Sequence, residues 1–341
     1  MTISEHVDRA HDRIVAQIIN EEVLVPYISR AEAAGVDMGV YPVVIGGTNM
    51  IHADCLSEQA RTLFHHFTNN DIDIKFIIAN RNLPHPWQYD TCVTLANYSQ
   101  MSLISDLLND DRISEIIDVH TIHAVPGLKC TMLDVFEGTK THNDEARKTF
   151  KTVIRIVYEM EDGTSLRRDL FDTAIYSSQN HPMLGSMCLF QLDAAYPVPF
   201  CTHKGIPFAT RQWMYLETIR TLLVHGEKYH SALEERQCYS AVEVNKTLKC
   251  FMKCLLRFAI VAAEKDMMDE WSDQLNVLHP LFEKVYDILD ETECAPRTFN
   301  APCVQKDHMQ MFRKLVRATV KRVGLDDLED MLVDANVIMS L

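Results

Sequence analysis

A short apolar run that ends in two glycines constrains the fold of this chain more than any other feature. Residues 41–45 read YPVVI, which is typical of a buried strand, and Gly46, Gly47 and Thr48 follow directly. Glycines at the exit of a strand let a phosphate approach the backbone closely, although such a pair also ends many strands without a functional role. The Thr48 hydroxyl is suited either to capping the next helix or to binding phosphate. The pattern therefore predicts a strand, a glycine turn and a helix.

A second predicted strand follows that helix and carries two aspartates. Residues 71–78 read DIDIKFII. Because side chains alternate along a strand, Asp71 and Asp73 lie on one face and the intervening isoleucines on the other. Paired carboxylates suit Mg²⁺ or Mn²⁺, and two such ions can activate an attacking hydroxyl and stabilise a leaving pyrophosphate. Lys75 falls on the same face, where contact with a phosphate and pairing with an aspartate are equally compatible with the pattern.

A third carboxylate is available on a later strand, over residues 165–176. Alternation predicts that Asp169 and Asp172 occupy opposite faces, so that at most one of them reaches the ions. Ala174 leaves room beside Asp172, whereas the Asp169 face is bulkier. Asp169 also follows two arginines, which favours a solvated ion pair there. The pattern therefore favours Asp172.

The order of these segments is more specific than any one of them. A Gly-Gly-hydroxyl turn, a helix and an Asp-x-Asp strand resemble the signature of the nucleotidyltransferase superfamily that includes DNA polymerase beta. More narrowly, four blocks between about residues 43 and 223 look like the catalytic subunit of the poly(A) polymerases of large cytoplasmic DNA viruses. The blocks are GGT, NDIDIKFII, LFDTAIYSS and KGIPFATRQWMYLETIRTLL.

The resemblance implies an activity and a set of site residues. The activity is template-independent transfer of AMP from ATP to the 3′ end of single-stranded viral mRNA, with release of pyrophosphate. Two Mg²⁺ or Mn²⁺ ions are expected on Asp71, Asp73 and Asp172. The residues expected to contact the nucleotide are Gly46, Gly47, Thr48, Lys75 and Lys204. For Lys204 alone, an ordinary surface charge is the favoured interpretation and contact with the nucleotide is the alternative.

Lys246 and Lys249 are the candidate RNA contacts. They lie three residues apart on a predicted helix and therefore share a face. The whole chain has 33 Lys plus Arg against 48 Asp plus Glu, a net charge of −15, which argues against nucleic-acid binding over the entire surface. A local groove is therefore expected to bind the RNA.

The order of predicted helices and strands divides the chain into three segments. An α+β fold class is expected. Residues 1–40 are predicted to form an N-terminal helical arm, in which Pro26 separates two helices. Residues 41–195 are predicted to form the nucleotidyltransferase palm, a mixed β-sheet with helices, and 196–341 an all-helical C-terminal domain without strands. In the palm we predict a helix over 88–109 and strands over 115–124, 128–136, 151–160 and 165–176. In the C-terminal domain we predict helices over 209–226, 232–265, 270–291, 305–323 and 325–338.

Composition bears on location and partners. No apolar run approaches the ~20 residues that cross a bilayer, and the N-terminus has no stretch like that of a signal peptide. Ten cysteines without a CxxC pair are typical of free thiols in a reducing compartment. These features predict a cytosolic or nuclear protein that does not bind membranes. The resemblance to viral poly(A) polymerases implies a cytoplasmic location, in the host cytoplasm or the virion. A second subunit or a homodimer is compatible with the sequence.

Two other functions remain open. One is another template-independent nucleotidyltransferase of the same fold, such as a cyclic-dinucleotide or CCA-adding enzyme. The other is a non-catalytic subunit that uses the fold as a scaffold or RNA platform. Such a scaffold would be free to lose the carboxylates, so their presence favours an enzyme.

Overall fold

The fold was analysed in a computed structural model, which divides into two compact units. One unit comprises Met1–Cys55 and Thr68–Trp213, and the other Leu56–Phe67 and Met214–Leu341. The structure describes residues 2–35, 40–52, 56–64, 71–78, 86–141, 148–176, 200–209, 214, 218, 221–222, 225–226, 228–229, 231–232, 240–263, 314, 316–317, 320–321 and 330.

Helices and strands alternate irregularly along the described residues. The helices are α1 (Ile3–Asn20), α2 (Val25–Gly35), α3 (Gly46–His52), α4 (Glu58–Phe64), α5 (Pro86–Leu108), α6 (Asp111–Thr121) and α7 (Ala241–Ala263). The strands are β1 (Val40–Ile45), β2 (Ile72–Ile78), β3 (Leu128–Thr141), β4 (Lys148–Met160), β5 (Ser165–Tyr176), β6 (Phe200–His203) and β7 (Ile206–Ala209).

The strands form one mixed sheet of seven strands in the order β3-β4-β5-β2-β1-β7-β6. Strand β2 lies at the centre, antiparallel to β1 and parallel to β5. Strand β7 is parallel to β1, and the remaining neighbours are antiparallel. The expected α+β class with a mixed sheet is confirmed.

One face of the sheet carries the main hydrophobic core. Helices α1, α2, α5 and α6 pack there against alternate residues of the strands, among them Ile72, Ile74, Phe76, Ile154, Ile156 and Phe171. Because side chains alternate, the residues between them point to the opposite face of the sheet. That opposite face carries Asp73 and Asp172.

The first two helices belong to this same core. Thr2 caps α1 through a reciprocal capping box with Glu5. The helical stretch is interrupted between α1 and α2, as predicted. Pro26 lies in the first turn of α2, where a backbone N–H would have no acceptor within the helix, so its absence costs no hydrogen bond. The buried side chains of α1 and α2 share one hydrophobic cluster with the sheet.

The strand predicted over 115–124 is wrong, because residues 115–121 belong to α6 and 122–124 form the turn that follows it. Asp110 caps the helix, its Oδ1 accepting from the backbone N–H of Arg112 at 2.8 Å. Ile113, Ile116 and Ile117 are buried at the spacing of one helical face. Packing of this apolar face against the core decides the structure.

The prediction that strands end near residue 195 is also wrong. Strands β6 and β7 form a hairpin around Lys204 and Gly205, whose φ angles are 49° and 74°. Positive φ at both residues is typical of a two-residue type I′ turn. Each strand has only four residues, too few to produce a recognisable pattern.

The second unit is helical in its described elements. Helix α7 falls within the predicted 232–265, and α4 packs against it. In the helix predicted over 209–226, every described residue after Ala209 is helical. The described residues of the helix predicted over 305–323 are helical as well. The helix predicted over 270–291 lies outside the described residues. The predicted boundary at 195/196 also lies outside them. Among the described helices, none has an apolar stretch long enough to span a membrane.

Candidate metal centre

Three carboxylates converge where β1, β2 and β5 lie side by side. Asp71 immediately precedes β2, Asp73 lies on β2, and Asp172 lies opposite Asp73 on β5. One carboxylate oxygen from each of the three lies within 4.8 Å of the others. Carboxylate oxygens at this spacing are the donors that Mg²⁺ and Mn²⁺ prefer, so the trio could hold a metal ion.

Asp169 and Asp172 share a face of the sheet, contrary to the prediction. Arg155 pairs with Asp169 and Val153 pairs with Asp172, and residues two apart on β4 face the same way. A β-bulge interrupts the alternation of β5, with Leu170 as the additional residue. Strand parity counted along the sequence alone therefore fails at this point.

Asp169 is nevertheless not one of the converging carboxylates. Its Oδ1 lies 2.6 Å from Nε of Arg155, and its side chain is 41% exposed. This is the solvated ion pair expected for Asp169, although its partner comes from β4. The structure thus places Asp172 beside Asp71 and Asp73, as the small Ala174 neighbour indicated.

Two lysines neutralise part of the carboxylate charge. Nζ of Lys75 lies 3.1 Å from Oδ1 of Asp73 and 3.1 Å from Oδ1 of Asp172. Nζ of Lys151, on β4, contacts Oδ2 of Asp172. Burial disfavours the charged form of Asp172, but the two ammonium groups outweigh it and hold the pKa of this carboxyl below its ordinary value. Of the two roles open to Lys75, the structure shows pairing with aspartates.

The absence of a side chain at Gly46 makes room for the Asp73 carboxylate. The φ of Gly46 is +73°, a conformation that side chains disfavour, and the residue lies at the turn from β1 into α3. A Cβ atom on Gly46 would overlap Oδ2 of Asp73 and lie 3.2 Å from its Cγ. The glycine is therefore required both by the turn and by the close approach of the carboxylate. Gly47 follows as the second residue of α3.

Thr48 fixes the start of the aspartate strand. Its Oγ1 donates to the backbone carbonyl of Asp71 at 2.6 Å, and the residue is 2% exposed. The hydroxyl proton is therefore used to hold the backbone of a candidate ligand. This role differs from both helix capping and direct phosphate binding, the two that its position suggested.

A buried polar network on the core face anchors β5 behind the carboxylates. Nε2 of Gln100, from α5, donates to Oγ1 of Thr173 at 2.9 Å and to its carbonyl at 3.2 Å. Oγ1 of Thr173 in turn donates to the carbonyl of Thr152 at 3.1 Å. These bonds restrain the strand at the residue next to Asp172 and therefore the direction of its carboxylate.

The structure does not bring Lys204 to the carboxylates. Val44 pairs with Phe208 in a parallel arrangement, so the turn before β7 lies toward the start of β1, away from Gly46. Nζ of Lys204 donates to Oδ1 of Asn20 at 3.2 Å. Parallel pairing, which the sequence did not reveal, separates this lysine from the proposed site.

The two candidate RNA contacts lie on α7 in the second unit. Lys246 is exposed, and Lys249 is on the same helix one turn later. Their role in RNA binding stays a prediction.

Lys151 is the member of the cluster that the sequence did not indicate. It lies near the start of a predicted strand, in KTVIRIVYEM, and nothing local distinguishes it from a surface lysine. Its position opposite Ala174, two pairs beyond Asp172, follows from the pairing of β4 with β5. Only knowledge of that pairing would have revealed it.

Comparison with known proteins adds no relatives to this description. A scan against protein-family models, a search of curated proteins and a search of solved structures each found no match.

Proposed function

We propose that this chain is a template-independent nucleotidyltransferase, specifically a poly(A) polymerase that adds AMP from ATP to the 3′ end of single-stranded viral mRNA. The observation that carries the proposal is the convergence of Asp71, Asp73 and Asp172 beside the Gly46 turn. The sequence blocks that resemble viral poly(A) polymerases contain these same residues, which supports the narrower assignment.

The three carboxylates are proposed to hold two Mg²⁺ or Mn²⁺ ions. Such ions supply activation of the RNA 3′-hydroxyl and stabilisation of the charge on the leaving pyrophosphate. Asp73 and Asp172 face each other across β2 and β5, which presets their spacing without a change in the backbone. Lys75 holds both carboxylates through Oδ1, and Thr48 holds the backbone of Asp71.

The nucleotide is proposed to lie over the Gly46-Gly47 turn. Neither glycine has a side chain there, so a triphosphate can come close to the backbone next to the carboxylates. The choice of ATP rests on the resemblance of the sequence blocks, since no described residue identifies an adenine contact.

The RNA is proposed to bind through a local basic surface that includes Lys246 and Lys249. The net charge of −15 opposes binding elsewhere, so a modest dependence on salt is expected, reflecting a handful of phosphate contacts. A cytoplasmic location, and assembly with a second subunit or as a homodimer, complete the proposal.

The test is extension of labelled oligo(A) by the purified full-length protein with each of the four NTPs and Mg²⁺ or Mn²⁺. Extension with ATP and little with the other three is the expected result. Equal incorporation of UTP, CTP and ATP would move the assignment to another nucleotidyltransferase of this fold. No extension with any NTP would favour a scaffold or RNA-binding subunit.

The matched variant is Asp73→Asn. It should fold, because it preserves the shape of the side chain, and it should reduce extension by several orders of magnitude because charge stabilisation by the ions is lost. Extension by Asp73→Asn at the wild-type rate would contradict the two-metal proposal.

A further inference from the structure

The two lysines that contact Asp172 differ in how firmly they are held. Nζ of Lys75 lies 3.1 Å from Oδ1 of Asp73, 3.1 Å from Oδ1 of Asp172 and 3.5 Å from the carbonyl oxygen of Asp172. The Lys75 side chain is 6% exposed. Nζ of Lys151 contacts Oδ2 of Asp172, and its side chain is 26% exposed. Lys75 is therefore enclosed by the fold, whereas Lys151 has a route to solvent.

The oxygen that Lys151 occupies is one that a divalent ion would need. Asp172 is 7% exposed, and its Oδ1 is already bonded to Lys75, so Oδ2 is the oxygen that faces Lys151. An ion on Asp172 would lie within a few ångströms of the Lys151 ammonium. Like charges at that distance in a partly buried site repel strongly, and the double charge of the ion increases the repulsion.

We propose that Lys151 is an exchangeable counter-ion of Asp172. Its ammonium holds the carboxylate in place when no ion is bound and leaves Oδ2 when a divalent ion binds. The released ammonium is then free to pair with the triphosphate of the nucleotide. The inference rests on the proposed function, because it assumes that the carboxylates bind divalent ions.

The counter-ion role predicts that removal of the Lys151 charge increases the affinity of the site for divalent ions. Removal of a distant surface cation changes ion affinity little, because solvent and salt screen it, and removal of a residue that supports the carboxylates weakens ion binding. Removal of a competing internal cation strengthens it. Lys151→Gln should therefore bind Mn²⁺ about tenfold more tightly than the wild type, since a partly buried charge pair no longer has to be broken.

The binding experiment follows free Mn²⁺ by electron paramagnetic resonance during titration of the full-length protein, without nucleotide or RNA. Lys151→Arg retains the charge and should match the wild type. Lys129→Gln is the matched control, because Lys129 lies on neighbouring β3 with a 67% exposed side chain, paired with Glu159 and not with the carboxylates. It should also match the wild type.

Affinity of Lys151→Gln equal to or weaker than that of the wild type would overturn the counter-ion role and leave the proposed function standing. Absence of Mn²⁺ binding by the wild type and Lys151→Gln alike would contradict the proposed function as well. The two failures are therefore distinguishable.

A measurement on the wild-type protein covers the case in which Lys151→Gln does not fold. The rate at which an amine-reactive reagent labels Lys151, measured by peptide mass spectrometry, should rise when Mg²⁺ or Mn²⁺ is added at a concentration that binds. The rate at Lys129 should stay constant. An unchanged rate at Lys151 under those conditions would overturn the proposal.

Discussion

Gly46→Ala should damage the candidate metal centre more than the backbone around it. The positive φ of +73° costs an alanine about 1–2 kcal/mol of stability. The new Cβ would also overlap the Asp73 carboxylate, and crowding of this kind costs about 1–3 kcal/mol further. If Asp73 rotates away to relieve the overlap, the carboxylate leaves Lys75 and the cluster. We therefore expect a total loss of about 2–5 kcal/mol together with loss of Mn²⁺ binding.

Gly127→Ala is the control that separates the two costs. Gly127 has a similar φ of +68°, but a Cβ there would meet nothing within 4 Å. It should lose only the backbone cost of about 1–2 kcal/mol and keep Mn²⁺ affinity. Urea unfolding measures the free energies, and electron paramagnetic resonance measures the ion. Equal destabilisation of the two variants, with wild-type Mn²⁺ affinity in Gly46→Ala, would refute the argument.

Three further predictions concern charge. Lys75→Met should destabilise the protein by about 3–5 kcal/mol, because it leaves the buried Asp172 without its enclosed partner, and Mn²⁺ should recover part of the loss in thermal unfolding. Burial raises the pKa of Asp12 from 3.8 to about 6, so the folded state binds this proton more tightly than the unfolded state does. The stability that this proton provides is complete below about pH 4 and is lost as the pH rises through about 6. Asp12→Asn should remove that part of the pH dependence in urea unfolding, and an unchanged profile would exclude Asp12 as its source. Replacement of Lys246 and Lys249 by glutamine should weaken binding of single-stranded RNA, measured by fluorescence anisotropy, without changing ATP binding. Unchanged RNA affinity would place the RNA contact elsewhere.

The central part of the fold could be predicted because its strands are long or strongly patterned. The apolar run of β1 ends in two glycines, and the run of β2 begins with aspartates. Both strands could therefore be predicted, and alternation along β2 placed its two carboxylates on one face. Asp172 could be preferred over Asp169 from the size of its neighbour Ala174. The three converging carboxylates could therefore be identified from the sequence.

The rest depends on contacts between distant segments. The bulge at Leu170 and the position of Lys151 arise from the pairing of β4 with β5, which no local pattern reports. The segment 111–121 contains isoleucines suited to either a strand or a buried helix face, and packing against the core decides between them. Lys204 is placed by the parallel pairing of β7 with β1. Local sequence identified the three carboxylates, and tertiary pairing determined which charged side chains surround them.

The most direct test of the account compares two aspartates that share β5. Asp172→Asn and Asp169→Asn remove the same charge from the same strand and the same face, but only Asp172 lies within the carboxylate cluster. Initial rates of oligo(A) extension with ATP and Mg²⁺ should fall by several orders of magnitude in Asp172→Asn and stay close to the wild type in Asp169→Asn. Wild-type extension by Asp172→Asn would contradict the proposed metal centre.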